Sequence, residues 1–334
     1  MTKKKKILIT GAGGYVGATI AEALKDDYEI VGFGHGAEIE GDVVDAKALS
    51  RATKGAYAII HTASPTKESW CKEHPYEALR AIVIGTRNVR RAAEEHKVSL
   101  VIHFSTQAVY SNFAKRPLPL REEMELQPDT FYGALKALAE KELADISRLQ
   151  STVYSLQTVT LRPANIYGIG AGPLRGNVIH AFAENARNVK PLILNGGGKQ
   201  KVDFVHVRDI ARLVALILKR PETRPNDLSR SVGRARDQRQ GTRDKRQETR
   251  DQRQVIINVG SGKPTAIRDI ARLVVAETKR LKKKPPEIIS QPVSAGTIAA
   301  DRWLSISKAK KYYEWKPEVS LWQGVKELLN SSNS

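Results

Sequence analysis

The feature that most constrains the fold is a strand, a glycine turn and a helix start that follow one another near the N terminus. The apolar run Ile7–Thr10 leads into Gly11-x-x-Gly14-x-x-Gly17, and a helical pattern follows over Val16–Lys25. Glycines let a backbone approach a ligand closely, and the free N–H groups of a helix N-terminus favour an anion such as a pyrophosphate. We therefore favour a phosphate-binding turn over a plain tight turn.

The rest of the chain alternates short apolar runs with longer helical patterns. Strands are predicted at Ile7–Thr10, Glu29–Phe33, Ala58–His61, Leu100–Ser105, Thr158–Leu161, Val202–Val205 and Val255–Val259. Helices are predicted at Val16–Lys25, Ala46–Thr53, Pro75–Glu95, Phe131–Arg148, Asn177–Ala186, Arg208–Leu218, Ile267–Arg280 and Leu321–Leu329. Such alternation is typical of a parallel sheet that helices cover on both faces. The fold class is therefore α/β with a doubly wound parallel sheet.

Composition limits the other classes of protein. The 334 residues allow one large domain or two moderate ones. The longest apolar runs, such as Leu213–Leu218, fall far short of the ~20 residues that cross a bilayer, and Lys3–Lys6 precede too short an apolar stretch for an export signal. The single cysteine, Cys71, excludes an intrachain disulfide and a cysteine-based metal site. We expect a cytoplasmic protein without membrane contact.

The net charge of +19 is concentrated in three tracts. Residues 3–6, 221–254 and 279–284 supply 13 of these charges, with no aromatic residues between the basic ones. Such tracts are typical of solvated surfaces, so we expect no nucleic-acid partner. Within residues 221–254 the segment 236–254 repeats every seven residues without the apolar positions of a coiled coil, which predicts a disordered or weakly helical insertion over 221–254. The alternative is an arm that contacts RNA or a partner protein.

The end of the second predicted strand lacks an expected carboxylate. Dinucleotide-binding folds usually place an acidic residue about 20 residues after the glycine turn, where it holds the ribose hydroxyls. Here Glu29–Phe33 runs into Gly34-His35-Gly36. His35 could meet a 2′-phosphate instead, so NAD and NADP both stay open. Asp42 is either a contact for the adenine amine or a solvated loop residue.

Two side chains with acid/base chemistry lie on one face of a predicted helix. Tyr132 and Lys136 are four residues apart, and an ammonium beside a phenol lowers the pKa of the phenol. Tyr132 is therefore a candidate general acid/base. Thr106 follows a strand at the edge where open α/β sheets bind ligands, and its hydroxyl could orient a reacting oxygen. Ser105 is the alternative for that role.

Taken in order along the chain, these residues resemble the extended short-chain dehydrogenase/reductase family, in its nucleotide-sugar epimerase/dehydratase branch. Further matching segments are Gly41-Asp42, His61-Thr62-Ala63, Gly85–Val89, Arg162–Gly168, Phe204–Ala211, Asn258–Gly262 and Ser307–Pro317. The resemblance covers nearly the whole chain except residues 221–254. It implies a Rossmann domain at 1–168, continued by about 202–220 and 255–260. Residues 169–201 and 261–334 would form a smaller C-terminal substrate domain.

The resemblance also implies the site. Tyr132 would take a proton from a sugar hydroxyl, Lys136 would hold the nicotinamide ribose, and Thr106 would orient the substrate. The implied cofactor-binding residues are Gly11, Gly14, Tyr15, Val16, Gly17, His35, Asp42, Val43, His61, Thr62, Ala63, Lys136 and Pro163. The implied substrate-binding residues are Ser105, Thr106, Asn165 and Asn177. We expect NAD, with NADP open, no metal, and a homodimer through the helices near Pro75–Glu95 and Phe131–Arg148.

Several positions depart from the family pattern. Sugar 4,6-dehydratases carry an Asp-Glu pair after the threonine, whereas Gln107 and Ala108 stand here, which favours epimerisation or simple redox chemistry. The arginine expected to grip the nucleotide diphosphate is replaced by Val202. Other expected polar residues are replaced by Ile82, Ser294 and Thr297. Substitutes for the missing grip could be Lys199, Lys201 or Arg302. Otherwise the substrate carries no nucleotide.

Three functions follow from the sequence. The first is an NAD(P)-dependent nucleotide-sugar epimerase, foremost a UDP-sugar 4-epimerase. The second is an NAD(P)H-dependent reductase or dehydrogenase of a non-nucleotide alcohol or carbonyl. The third is a non-catalytic cofactor-sensing or RNA-associated protein. An epimerase leaves NAD(P)H unchanged overall and a reductase does not, so the first two are distinguishable with a small-molecule substrate.

Overall fold

The computed structural model describes residues 3–110, 116–144, 156–172, 177–220, 254–293 and 300–331. The predicted insertion at 221–254 lies outside the described residues except for Gln254, which begins a strand. Ser294 and Thr297 also lie outside them. No helix in the described ranges is both long and apolar enough to cross a membrane.

The described part contains strands and helices in frequent alternation. The strands are β1 (Lys6–Thr10), β2 (Glu29–Phe33), β3 (Ala58–His61), β4 (Leu100–Phe104), β5 (Gln157–Pro163), β6 (Asn165–Tyr167), β7 (Leu192–Asn195), β8 (Lys201–Val202), β9 (Phe204–His206), β10 (Gln254–Val259), β11 (Thr265–Ala266) and β12 (Ile288–Gln291). The helices are α1 (Tyr15–Leu24), α2 (Ala46–Thr53), α3 (Glu68–Glu73), α4 (Pro75–Leu79), α5 (Gly85–Glu95), α6 (Phe131–Ala144), α7 (Val178–Arg187), α8 (Val207–Lys219), α9 (Ile267–Arg280), α10 (Ser307–Tyr313) and α11 (Leu321–Asn330).

Six parallel strands form the main sheet, in the order β10-β5-β4-β3-β1-β2. The chain moves outward from β1 to β2 and then returns to place β3 on the other side of β1. Ligands of open α/β sheets bind at the carboxyl ends of the strands beside such a reversal. The predicted α/β class and doubly wound Rossmann sheet are confirmed.

Helices cover both faces of this sheet. Along β1, Ile7 and Ile9 pack in one apolar cluster, and Leu8 packs in a second one on the other face. Successive side chains of a strand point to opposite faces, so a strand covered on both sides must be apolar throughout. This requirement explains the continuous apolar runs that made the strands recognisable.

The C-terminal part has a separate apolar cluster. Helices α7, α9 and α11 contact one another, with Ile179, Ile270 and Val325 fully buried between them. Three two-stranded sheets, β6/β9, β7/β12 and β8/β11, accompany these helices. Strand β10 returns to the main sheet beside β5. The proposed domain boundaries stay a prediction.

Two predicted elements are divided in the structure. The helix predicted at Pro75–Glu95 contains a π-helical turn, Arg80–Ile84, between α4 and α5. The strand predicted at Val202–Val205 becomes β8 and β9, which join different sheets. The break falls at Asp203, whose buried carboxylate accepts hydrogen bonds from Ser261 N–H at 2.8 Å and Leu304 N–H at 3.2 Å. A buried carboxylate needs such donors, and they come from distant parts of the chain.

Candidate functional site

The glycine turn between β1 and α1 leaves almost no room for side chains. Gly11 has φ +74°, and a Cβ on it would lie 2.7 Å from Ala63 N. A Cβ on Gly17 would lie 2.3 Å from the Gly11 carbonyl oxygen. Gly14 begins the helix with no side-chain cap, so the helix N–H groups face outward. The turn is thus a backbone cradle that fits a pyrophosphate.

A cleft of about 710 Å³ opens over this turn. Ten of the predicted cofactor-binding residues line it, namely Gly11, Gly14, Tyr15, Val16, Gly17, His35, Asp42, Val43, Thr62 and Ala63. They come from the turn after β1, the start of α1 and the segments that follow β2 and β3, which the sheet brings together. The volume is within the usual range of about 300–1,000 Å³ for a small-molecule site. The cleft therefore fits a dinucleotide with its phosphates at the start of α1.

Sequence reasoning missed other parts of the cleft wall. The additional lining residues include Gly13, Gly34, Gly41, Val44, Ser64, Pro65, Thr66, Trp70, Glu77, Arg80, Ala81 and Ile166. Ser64–Thr66 directly follow β3, so the strand-end rule that identified Thr106 could have found them. Trp70, Glu77 and Arg80 come from α3, α4 and the π-helical turn. No sequence signal marks these residues as cleft residues.

His61 was predicted to contact the cofactor, but the structure places it beneath the cleft, 2% exposed. Thr86 donates its hydroxyl proton to the Ile82 carbonyl, so it accepts from His61 Nε2 at 3.0 Å. The other ring nitrogen, Nδ1, then accepts from the Thr10 hydroxyl at 2.7 Å. Burial lowers the pKa of His61 to about 3. The neutral ring therefore links β3 to β1 and to α5 by hydrogen bonds.

Lys136 is buried at the end of β4. Its ammonium group donates to the Phe104 carbonyl oxygen at 2.7 Å. Burial lowers the pKa of Lys136 to about 8, against a smaller opposing effect of Glu140. The side chain does not line the cleft. The group nevertheless carries a positive charge, close to titration, beside the strand end that bears Thr106.

Tyr132 lies in the first turn of α6, which Glu68 caps. The Glu68 carboxylate accepts from Phe131 N–H at 3.0 Å and Tyr132 N–H at 2.9 Å. The phenol contacts the hydroxyl of Ser64. Ser64 lines the cleft and Tyr132 does not, so the Ser64 hydroxyl separates the phenol from the cleft. Burial raises the pKa of Tyr132, and the Ser64 hydroxyl only partly opposes this rise. The lowered phenol pKa predicted from Lys136 is therefore wrong for this arrangement, because burial dominates.

Thr106 and Ser105 differ in what their hydroxyls do. Thr106 oxygen accepts from Ala108 N–H at 3.2 Å, and the residue is partly exposed. Ser105 is buried and donates to Glu140 at 2.5 Å, and its substrate contact stays a prediction. A Cβ on Gly133 would lie 2.6 Å from the Ala108 carbonyl oxygen. The start of α6 thus packs directly on the Thr106 segment.

Buried polar side chains form a hydrogen-bonded network beneath the end of β4. Arg162 donates through two nitrogens to the two Glu140 oxygens, at 2.9 and 2.6 Å. It also donates to the Tyr110 hydroxyl at 2.8 Å, and Tyr110 donates to Asn258 at 2.8 Å. The network joins β4, α6, β5 and β10. Losing one partner of a buried ion pair typically costs about 3–5 kcal/mol, so removal of Arg162 or Glu140 alone should destabilise this edge of the sheet.

The predicted substrate contacts already bond to the protein. Asn165 donates to the Asp203 carbonyl at 3.0 Å. Asn177 caps α7, accepting from Ile179 N–H at 3.0 Å and donating to the Ile166 carbonyl at 2.5 Å. Val202 is 1% exposed within the C-terminal apolar cluster. In the structure these side chains thus stabilise the fold, and their contact with a substrate stays a prediction.

The remaining predicted residues fall in different places. Pro163 is buried at the end of β5 and does not line the cleft. Lys199 and Lys201 are exposed. Arg302 forms a β-bridge with Val202, and burial lowers its pKa to about 10. Among the described residues, no group of three or more His, Cys, Asp or Glu could hold a metal ion.

Comparison with known proteins identifies the family to which this chain belongs. A sequence model described as the NAD dependent epimerase/dehydratase family matches residues 7–233. The chain belongs to this family. It is an NAD-dependent enzyme of the extended short-chain dehydrogenase/reductase type, as the sequence predicted, and NAD is its cofactor.

Relatives within the family carry more than one activity. The chain is 27% identical to a 2-alkyl-3-oxoalkanoate reductase from Stenotrophomonas maltophilia, covering 98% of this chain and 99% of that one. It is 24% identical to a putative UDP-glucose 4-epimerase from Methanocaldococcus jannaschii, covering 97% of both. The crystal structure of UDP-glucose 4-epimerase from Thermotoga maritima, with UDP-glucose, matches with a TM-score of 0.77 and 21% identity, covering 97% of each chain. At this identity the structural match establishes the fold.

Proposed function

We propose that this family member is a UDP-sugar 4-epimerase that uses Tyr132, Lys136 and Thr106. The observation that carries the proposal is the convergence of these residues at the end of β4: Lys136 binds Phe104, and α6 packs on the Thr106 segment. The named epimerases that match this chain over nearly its whole length support it. We infer that the C-terminal part, with Asn165 and Asn177, receives the sugar nucleotide.

In this mechanism NAD supplies a hydride acceptor that later returns the hydride. Thr106 binds the oxygen of the reacting hydroxyl and orients it toward Tyr132. Tyr132 accepts the proton of that hydroxyl and returns it after the sugar has turned over. Lys136, with a pKa of about 8, holds a positive charge at the end of β4 at neutral pH. Burial raises the pKa of Tyr132, so the phenol is protonated in the resting enzyme and must pass its proton on before it can accept another from the substrate.

The residues after Thr106 favour this reaction over dehydration. Loss of water from a sugar needs further acid/base groups beside the reacting carbon. Gln107 and Ala108 occupy these positions, and neither side chain can exchange a proton. The site is thus equipped for one alcohol oxidation and its reversal.

The test supplies UDP-galactose, UDP-glucose and their N-acetyl forms, and follows the sugars by NMR. We expect interconversion without net NADH formation. Tyr132→Phe should lower kcat by about 10²–10⁴-fold, the usual contribution of a general acid/base. Tyr28→Phe, a tyrosine far from the cleft at the start of β2, is the matched control and should retain activity. Failure to convert any of these sugars by protein that binds NAD would contradict the proposal.

A reductase of a non-nucleotide carbonyl is the second candidate. Val202, buried and apolar, stands where a nucleotide-binding arginine was expected. The oxoalkanoate reductase among the relatives supports this alternative. Substrate-dependent consumption of NADH, with 3-oxoacids as the first substrates, would favour it over epimerisation.

We also propose a homodimer through α4 and α6. Their outer surfaces carry Tyr76, Leu79 and Leu138, which are 66%, 37% and 44% exposed. Burying such side chains against a second copy is favourable, at about 25 cal/mol per Å². Sedimentation should give a dimer that Leu138→Glu dissociates. Monomeric wild-type protein at micromolar concentration would contradict this surface assignment.

A further inference from the structure

We propose that Glu40 is the residue that selects NAD over NADP. The sequence has no carboxylate at the end of β2, where one usually holds the adenosine ribose. In the structure the following loop folds back on the strand: Ile39 N–H donates to the Gly32 carbonyl at 2.9 Å, and Gly34 N–H donates to the Ile39 carbonyl at 3.0 Å. This turn returns Glu40, seven residues after the end of β2, to the strand end.

The Glu40 carboxylate is held there by two contacts. One oxygen accepts from Gly36 N–H at 2.9 Å, and the other lies 3.0 Å from His35 Nδ1. The hydrogen bond to His35, followed by that to Gly36, lowers the pKa of Glu40. The group is therefore an oriented anion at neutral pH. A carboxylate has about four acceptor positions, so it can still accept from other donors.

The loop that holds Glu40 touches the glycine turn. A Cβ on Gly13 would lie 2.2 Å from the His35 carbonyl oxygen and 3.0 Å from Gly36. His35 and Gly41 both line the cleft. A pyrophosphate at the start of α1 places the adenosine ribose toward the end of β2. Glu40 does not itself line the cleft, but it is held against His35, which does, so its carboxylate can reach the ribose hydroxyls and would repel a 2′-phosphate.

The charge close to the ribose must favour NAD, because the net charge of the protein favours NADP. A net charge of +19 attracts the more negative NADP more strongly than NAD. The loop 34–41, in contrast, contains Glu38 and Glu40 and no lysine or arginine. Screening limits charge effects in solution to about 8 Å, so a carboxylate at the ribose outweighs distant lysines.

The test measures the dissociation constants of NAD and NADP by calorimetry, with full-length protein freed of bound nucleotide. Hydrogen bonds to charged groups are worth about 1.5–3 kcal/mol, so Glu40→Gln should weaken NAD by about tenfold or more. It should also tighten NADP, moving the NAD/NADP affinity ratio by about a hundredfold in total. Glu38→Gln is the matched control: Glu38 lies exposed on the same loop and, among the described residues, has no hydrogen-bond partner. The NAD/NADP affinity ratio of Glu38→Gln should stay within twofold of the wild-type ratio.

Two results would overturn the proposal. An unchanged affinity ratio in Glu40→Gln would show that the carboxylate is not at the ribose. A parallel loss of NAD and NADP affinity, with a lower melting temperature, would show that Glu40 only braces the turn. Both measurements concern cofactor binding alone, so they are independent of whether the sugar substrate proposed above is correct.

Discussion

The cofactor cleft and the proposed substrate side are built in different ways. The cleft is formed mainly by backbone: Gly11 and Gly17 exclude side chains, and the start of α1 offers its N–H groups. On the substrate side, Asn165, Asn177 and Val202 are side chains that already bond or pack within the fold. A backbone site is tied to a short local sequence. A side-chain site can change while the fold persists, and the relatives that match this chain are named as a reductase and as a putative epimerase.

The largest expected effect tests whether the cleft depends on backbone clearance. Gly11→Ala and Gly55→Ala are a matched pair, because both glycines have φ +74°. A Cβ on Gly11 would meet Ala63 N at 2.7 Å, whereas a Cβ on Gly55 meets nothing within 4 Å. Both variants should lose about 1–2 kcal/mol of stability from the left-handed backbone, and Gly11→Ala should lose about 1–3 kcal/mol more by overpacking against Ala63.

Only Gly11→Ala should also impair cofactor binding. The clash with Ala63 displaces the glycine turn on which the pyrophosphate would bind, so the dissociation constant of NAD should rise by about tenfold to a hundredfold. Calorimetry and denaturant unfolding measure the two effects separately. Equal NAD affinity in the two variants would show that the cleft tolerates side chains as well as the substrate side does.

The second prediction concerns Val202. An arginine there would place an unpaired charge in the C-terminal apolar cluster, so Val202→Arg should lower the free energy of unfolding by about 3–4 kcal/mol. Lys201→Arg, one residue earlier and exposed, should change it by less than about 0.5 kcal/mol. Urea unfolding of both variants measures this. A stable Val202→Arg protein that binds UDP-sugars more tightly would mean that position 202 faces the substrate.

The smallest expected effect concerns a row of polar side chains across the main sheet. Thr10, His61, His103 and Thr160 are neighbours in register from β1 to β5. His103 is fully buried, and neither ring nitrogen has a hydrogen-bond partner among the described residues. Such a group costs about 1–3 kcal/mol, so His103→Leu should stabilise the protein by about 1 kcal/mol near neutral pH.

This gain should grow in acid. Burial lowers the pKa of His103 well below 6.5, so the unfolded chain binds a proton that the folded protein does not. Wild-type stability therefore falls by up to about 1.4 kcal/mol per pH unit below ~6.5 on account of this residue, and His103→Leu removes that loss. Unfolding curves at several pH values measure the difference. A constant difference between pH 7 and 5 would mean that His103 has the same pKa in the folded protein as in the unfolded chain.

The elements were largely predictable, while their junctions were not. Strands β2 and β3 and helices α2 and α9 have the predicted bounds, because periodic apolar burial is a local pattern. The division of Pro75–Glu95 by a π-helical turn has no such pattern. Nor does the break at Asp203, which depends on donors from Ser261 and Leu304.

The sequence by itself determined the glycine cradle, the sheet edge and the positions of Thr106, Tyr132 and Lys136 along the chain. These follow from steric rules and periodicity within a few residues. Tertiary structure alone decided that the Ser105 hydroxyl bonds to Glu140, that burial raises the pKa of Tyr132, and that Glu40 returns to the end of β2. These depend on burial and on contacts between separate segments, and such quantities exist only once the chain has packed.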